Sequence, residues 1–355
     1  VTREVLVERT DRGYAAALVE GHELLDYVVA PDDGATQPGA IHLARVVRND
    51  APTGLSFVVL GGGATATLEL GKSPPREGEA CLVQVTSAAA GDKPARVRRG
   101  ASLDGHLVIL RPGGNSIRMA RRAAASFGSD AMAEALSLRL PDGMGLVVRS
   151  AAERAPDEAV AVEIDRLVAL WRSIEVRLAA AGAPTLLHAF DAPRRAVLPL
   201  LRARPDRVTV ADRAARDACA LLGVAAGLEP EAKLFDRHEV VEQLARAEMP
   251  ELALKGGGSI AIETTRALVV VDVDAGGGGG AEANVAAARA LARQLRLRDL
   301  AGTVVIDFIR MDAQAQRRVE RALAEATALD RRRVDLLGWT RGGLYELRRG
   351  EAVER

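Results

Sequence analysis

The chain has 355 residues, 48% apolar and 27% charged, enough for two or three cored domains and too apolar for wholesale disorder. Its 48 basic and 48 acidic residues cancel, so no whole-chain field draws nucleic acid or an anionic membrane, and any such partner has to be held by a local patch. Two distant cysteines, Cys81 and Cys219, exclude a disulfide framework and a CxxC zinc site, and predict a reducing, cytoplasmic setting. No apolar run approaches the ~20 residues that span a bilayer, and the opening Val1-Thr-Arg-Glu4 lacks a signal-peptide core.

In chain order, alternation predicts strands over Glu4–Glu8, Tyr14–Glu20 and Glu23–Val29, and the Pro/Gly/Asp-rich stretch Asp32–Gly39 marks a boundary. Four short strands follow, Ile41–Val47, Leu55–Leu60, Ala64–Leu70 and Ala80–Thr86. They are punctuated by Gly61–Gly63, Gly71 and Pro74–Pro75, which is the spacing of a small barrel or sandwich. A strand at His106–Leu110, a basic loop through Arg122 and a strand at Gly145–Arg149 come next. From about Asp157 a long helix is predicted, because Val160, Ile164, Leu167, Trp171, Ile174 and Leu178 recur every three or four residues; Trp171 reads as core.

Strands Leu186–Phe190 and Arg207–Val210 mix with helices Ala211–Leu222 and His238–Ala247. After Gly256–Gly258 the pattern is strands Ser259–Glu263 and Ala267–Val273, helix Ala281–Leu297, strand Gly302–Ile309, helix Ala313–Leu329 and strand Val334–Leu337, an α/β alternation.

Chemistry concentrates in this last unit. Leu268–Asp274 is an apolar strand ending in two carboxylates, and Thr303–Ile309 is a second with Asp307 near its end. A connecting helix makes them parallel, and ligands bind beyond the carboxyl ends of such strands. Asp272 and Asp274, two apart, share a face, and Asp307 reaches the same edge. Carboxylates buried on apolar strands need compensation, which a hard divalent cation supplies; strand-end residues paired with arginine are the competing reading. Gly276–Gly280 lacks the Lys-Ser/Thr of a phosphate loop and reads as a flexible connection. Arg96/Arg98/Arg99, Arg118–Arg122 and Arg331–Arg333 each read as solvated faces. Together with a barrel bearing an exposed aromatic, for which Phe57 is the best candidate, they would suit single-stranded RNA. No Ser/His/Asp or Cys/His triad is legible. The βαβ unit alone is also compatible with a small-molecule phosphohydrolase, which needs a closed pocket where an RNA cutter needs an open groove.

The runs Ala292-Arg-Gln-Leu-Arg-Leu-Arg-Asp-Leu-Ala-Gly302 and Val305-Ile-Asp-Phe-Ile309, with Gly257-Gly-Ser-Ile260, Pro141-Asp-Gly-Met-Gly145, Val148-Arg-Ser150 and Ala267–Asp274, resemble the ribonuclease E/G family. The resemblance covers about residues 3–349. It implies an α/β and β multidomain fold: an RNase H-like subdomain at 1–34 and 188–247, interrupted by an OB-fold RNA-binding insertion at 35–98 and a 5′-sensor domain at 99–187. A DNase I-like α/β catalytic subdomain follows at 248–355. It further implies endonucleolytic cleavage of single-stranded RNA, in RNA processing and decay, with Mg²⁺ (or Mn²⁺) on Asp272 and Asp307. Asp274 stands where the family has an asparagine and would orient Asp272 or join the site. A 5′-monophosphate pocket would map onto Gly105, Ile109, Arg121, Arg149 and Ser150 with Arg333 nearby, and RNA contacts onto Phe57 and Lys93.

The departures are specific. Thr67 replaces the second barrel aromatic, Arg310 an acidic residue, and Gly342-Gly-Leu-Tyr-Glu346 the usual FGLLE-type run; the loop after Asp274 is short and Gly-rich. The family's zinc-binding CPxCxG segment does not occur, so no zinc is expected, and a homodimer would not use a zinc link. The alternative to an active nuclease is a degenerate member that binds RNA or a protein partner without cutting.

Overall fold

The computed structural model describes residues 2–89, 91–120, 136, 138–230, 233–277 and 279–350. They form a mixed α/β assembly of four sheets. In the first, Arg3–Thr10, Gly13–Glu20 and Glu23–Ala30 make an antiparallel meander. Arg207–Val210 and Gly227–Leu228 extend it in parallel beyond Arg3–Thr10. The middle strand is buried on both faces, as its unbroken Tyr14–Val19 run dictates: Ala16 and Leu18 pack against the helices Ala192–Val197 and Arg213–Leu221, and Ala15, Ala17 and Val19 against Leu234, Phe235 and Val240.

The second sheet closes on itself. Ile41–Asp50, Leu55–Val59, Thr65–Glu69, Ala95–Arg99 and Ala80–Ser87 follow one another around a five-stranded barrel, with Thr65–Glu69 and Ala95–Arg99 its parallel pair. Ala44, Val46, Val58, Leu68, Val83 and Val97 fill the interior, and closure leaves no free edge inside the ring. The strand Thr185–His188 docks outside it on Ile41–Asp50. There Gly61 is the only residue type that fits, because a Cβ would lie 2.2 Å from the Leu186 nitrogen.

The third sheet, Leu103–Asp104, Val108–Pro112, Met144–Val148 and Ile117–Met119, is crossed by the helix Asp157–Ala180. That helix buries Val160, Ile164, Leu167, Trp171 and Ile174, the stripe its periodicity predicts. The strand expected from His106 begins at Val108 instead. The Glu163 carboxylate draws off the backbone N–H groups of His106 (2.8 Å), Leu107 (2.6 Å) and Val108 (2.9 Å) before the ladder starts.

The fourth sheet runs Glu251–Ala253, Ser259–Thr264, Val269–Asp274, Gly302–Asp307, Tyr345–Arg349, Val334–Trp339; only Val269–Asp274 and Gly302–Asp307 are parallel. Helices Gly280–Leu297 and Ala313–Thr327 cover one face through Ala287, Ala288, Leu291, Leu295, Val319, Ala322 and Leu323. The strand Tyr345–Arg349 was not anticipated, since its glutamate and arginines mask the alternation of Tyr345 and Leu347.

The first and fourth sheets meet across the helix Gly280–Leu297. Arg293 and Arg296 donate to the carbonyls of Leu24 (2.5 Å) and Leu25 (3.0 Å). Beside them Arg331 pairs with buried Asp26 and, at 2.6 Å, with Asp299. Arg332 reaches Asp299 at 2.6 Å, and Arg349, wholly buried, grips Asp330 through two bonds of 2.8 and 2.9 Å. Arg331 and Arg332 are therefore not solvated: they are consumed in a buried joint. Among the described residues, no helix is long and apolar enough to cross a membrane.

Candidate active site

The strand Val269–Asp274 alternates strictly. Val269, Val271 and Val273 face the helices, while Val270, Asp272 and Asp274 face away. Asp307 closes the neighbouring strand, exposed on the same side, and is the register partner of Asp272. Adjacent strands lie about 4.8 Å apart, so the two carboxylates stand side by side. Along that row Asp272 has the small Ala261 on its other flank; the next row holds Glu263, Val270, Val305 and Glu346. Among the described residues this face is open at Val270, Asp272, Asp274 and Asp307, so both carboxylates are exposed, whereas the apolar sequence around them predicts carboxylates buried on their strands.

Neither Asp272 nor Asp307 has an ion-pair or hydrogen-bond partner among the described residues, so the arginine-paired reading of these strand ends does not hold. Two like charges held side by side are mutually repulsive until a cation joins them. The donor set suits a hard ion: two carboxylates, with room on an open face for the waters and phosphate oxygens Mg²⁺ retains. No cluster of three or more His, Cys, Asp or Glu able to hold a metal occurs among the described residues, so any ion here depends on this pair.

Asp274 is differently engaged. Its Oδ1 accepts the Gly276 N–H at 2.9 Å, capping the turn that leaves the strand. That turn packs backbone to backbone on the Gly256–Gly258 loop: a Cβ on Gly258 would lie 2.2 Å from the Asp274 carbonyl oxygen. Arg310 is exposed just beyond Asp307.

On the barrel, half-buried Phe57 carries the Arg48 guanidinium over its ring, 4.8 Å from the centroid. Its cross-strand neighbour Thr67 is buried and turns its hydroxyl to the Ala95 carbonyl at 3.4 Å. Lys93 and Arg96 are exposed beside this surface, whereas Arg98 turns inward to Gln84 and Ser102, each at 2.5 Å.

Gly105, Ile109, Arg149 and Ser150 converge on the third sheet. Arg149 donates to the Gly105 carbonyl through its side chain and to the Leu107 carbonyl through its backbone, both at 2.8 Å. Ser150 is exposed at the head of the short helix Ser150–Arg154, and Ile109 is buried in the strand. A Cβ on Gly105 would sit 2.7 Å from the Glu163 carboxyl carbon and would have to displace a carboxylate that holds three backbone N–H groups. Arg333, just before the strand Val334–Trp339, bonds Asp335 at 2.6 Å, and Arg121 lies outside the described residues. Among the buried polar residues that the sequence does not single out are Glu163 and Asn284. Each sits on the apolar stripe of its helix, and a polar residue at a core-facing position was the available signal.

The model of the ribonuclease E/G family matches residues 102–351. The chain is 30% identical to ribonuclease E of Escherichia coli strain K12 over 94% of its own length and 35% of the relative's. It is 31% identical to ribonuclease E of Nostoc sp. strain PCC 7120 over 76% of its length and 42% of the relative's. Ribonuclease G of Salmonella typhimurium is 26% identical over the whole chain and 81% of the relative. The chain thus spans well under half of the ribonuclease E relatives it matches. A matched family model over most of the chain and relatives along its whole length lead to one conclusion: this chain belongs to the ribonuclease E/G family.

Proposed function

We propose that this protein is a Mg²⁺-dependent endoribonuclease acting on single-stranded RNA in the cytoplasm. The carrying observation is the in-register, un-neutralised pair Asp272/Asp307 on an uncovered sheet face. An open face admits a polymer passing through, where a small-molecule phosphohydrolase would enclose its substrate. Asp272 and Asp307 would hold the ion, which when bound supplies positive charge to a phosphodiester and acidifies water. Water attacks phosphorus and the P–O3′ bond breaks, leaving a 3′-hydroxyl and a 5′-phosphate. Asp274 holds the loop turn rather than the ion, a task its amide counterpart performs equally well, so the carboxylate at this position is compatible with cleavage.

The rest of the chain would guide the strand. Phe57 with Arg48 offers a stacking surface, and Lys93 and Arg96 offer charge to the backbone. Arg149 and Ser150, beside the loop at Gly105, would receive a 5′-monophosphate through a guanidinium and a hydroxyl. In this reading the barrel is the OB-fold insertion, the third sheet the 5′ sensor, and the first and fourth sheets the RNase H-like and DNase I-like parts. Buried, unpaired Cys81 and Cys219 accord with a reducing compartment.

The test is cleavage of a short A/U-rich single-stranded RNA in Mg²⁺, bearing either a 5′-monophosphate or a 5′-hydroxyl, with Asp307→Ala alongside. Cleavage lost in the variant supports the nuclease, and faster cleavage of the monophosphate substrate supports the sensor. RNA binding without cleavage in both Mg²⁺ and Mn²⁺ would overturn the nuclease in favour of an RNA-binding member that does not cut.

A further inference from the structure

Asn284 lies in the first turns of the helix Gly280–Leu297 and is wholly buried among its alanines. Its amide meets the backbone of one residue twice: Nδ2 donates to the Ile309 carbonyl at 2.7 Å, and Oδ1 accepts the Ile309 N–H at 3.1 Å; Nδ2 also lies 3.6 Å from Met311 Sδ. This is the pattern one strand offers another. It comes where the ladder has run out, since pairing of Gly302–Asp307 with Val269–Asp274 ends at Asp272–Asp307. A second contact presses on the same residue: a Cβ on Gly280 would lie 2.8 Å from Ile309 Cγ2. Phe308 between them is anchored by its ring, 5.8 Å from Trp339 and 6.3 Å from Tyr345. The Asp307 carboxylate has no partner among the described residues.

We propose that Asn284 is a positioning residue for the metal site: it fixes the chain leaving Asp307, and so keeps that carboxylate beside Asp272. The proposal rests on the reading that these two aspartates hold the divalent ion. A buried Asn that only satisfied its own amide would need no particular partner. Here both halves of the amide are spent on the backbone N–H and C=O of Ile309, two residues beyond a ligand, where strand pairing no longer sets the backbone.

Mn²⁺ titration of the full chain without RNA, followed by electron paramagnetic resonance, tests this for the wild type, Asp272→Asn, Asn284→Ala and Gly280→Ala. Asn284→Ala is expected to raise the Mn²⁺ dissociation constant about 10–100-fold, the usual effect of losing a support behind a ligand. RNA affinity in metal-free buffer should stay as in the wild type. Gly280→Ala, at the half-buried start of the helix, should shift Mn²⁺ binding in the same direction by less, and it serves if Asn284→Ala does not fold. Unchanged Mn²⁺ binding in the folded variants, beside lost binding in Asp272→Asn, overturns the positioning role alone. Unchanged binding in Asp272→Asn overturns the metal reading beneath it.

Discussion

Two groups of acidic residues in this molecule look alike in composition and behave oppositely. Asp26, Asp299 and Asp330 meet Arg331, Arg332 and Arg349 at the joint of the first and fourth sheets, with Asp26, Asp330 and Arg349 inside the protein. Asp272 and Asp307 stand side by side on an open face with no cationic partner among the described residues. Where the chain supplies the countercharge, the ions join one layer to another. Where it keeps two carboxylates in register without one, a cation from solution is what the proposed function asks for. Charge content alone does not distinguish the two; the location of the partner does.

That contrast can be broken experimentally. The largest effect is expected at the open pair. Asp272→Asn should lower Mg²⁺-dependent cleavage by about 10³-fold or more, about 4 kcal/mol of transition-state stabilisation, measured by single-turnover kinetics. Its stability to urea should be unchanged or slightly higher, because one of two like charges is gone. Loss of stability in Asp272→Asn would erase the distinction between the two groups.

Arg331→Met should do the reverse. It leaves buried Asp26 without its countercharge and should cost about 3–5 kcal/mol in urea unfolding. A double variant, Arg331→Met with Asp26→Leu, should recover most of that loss. Failure to recover would mean that the ions themselves, not their mutual neutralisation, are required.

A third test concerns two histidines that burial and neighbouring arginines push toward the neutral form, with Asp191 a weaker opposing charge at His188. Burial, with the charge of Arg149 second, pushes His106 down to about 4; burial, with Arg194 and Arg177, does the same to His188, whose Nε2 is unbonded. Between pH 6.5 and about 4 the unfolded chain therefore binds protons that the folded one refuses. Stability should be independent of these histidines above pH 6.5 and fall on acidification by up to about 1.4 kcal/mol per pH unit for each. Urea midpoints at pH 7.5 and 5.5 measure the slope, and His188→Asn should reduce it.

The smallest effect is expected on the barrel. Phe57→Ala should weaken single-stranded RNA binding by about 1 kcal/mol, roughly fivefold in fluorescence anisotropy, because the lone ring has Thr67 rather than a second aromatic beside it.

Much of this architecture was legible in the sequence. Period-two alternation located the strand Val269–Asp274 and set Asp272 and Asp274 on one face; the 3.6-residue stripe from Val160 to Ile174 located the long helix; the regular glycine and proline punctuation announced a small barrel. Local steric and burial preferences act over a few residues and leave their period in the chain. What failed was local reading of charge. Arg331–Arg333 read as a solvated face, yet two of the three close the joint with Asp26 and Asp299, because their partners lie 305 and 32 residues away. The strand at His106 began late because Glu163, more than fifty residues on, claimed its backbone donors.

The sequence by itself determined most of the elements, the face on which Asp272 and Asp274 lie and the family to which the chain belongs, since each is written in spacing and residue type. Only the tertiary structure decided that Asp272 and Asp307 share a register, that one face of their sheet stays uncovered, and that Asp274 turns to the glycine loop. Pairing register and face coverage are settled by contacts between segments far apart in the chain, where no local period records them.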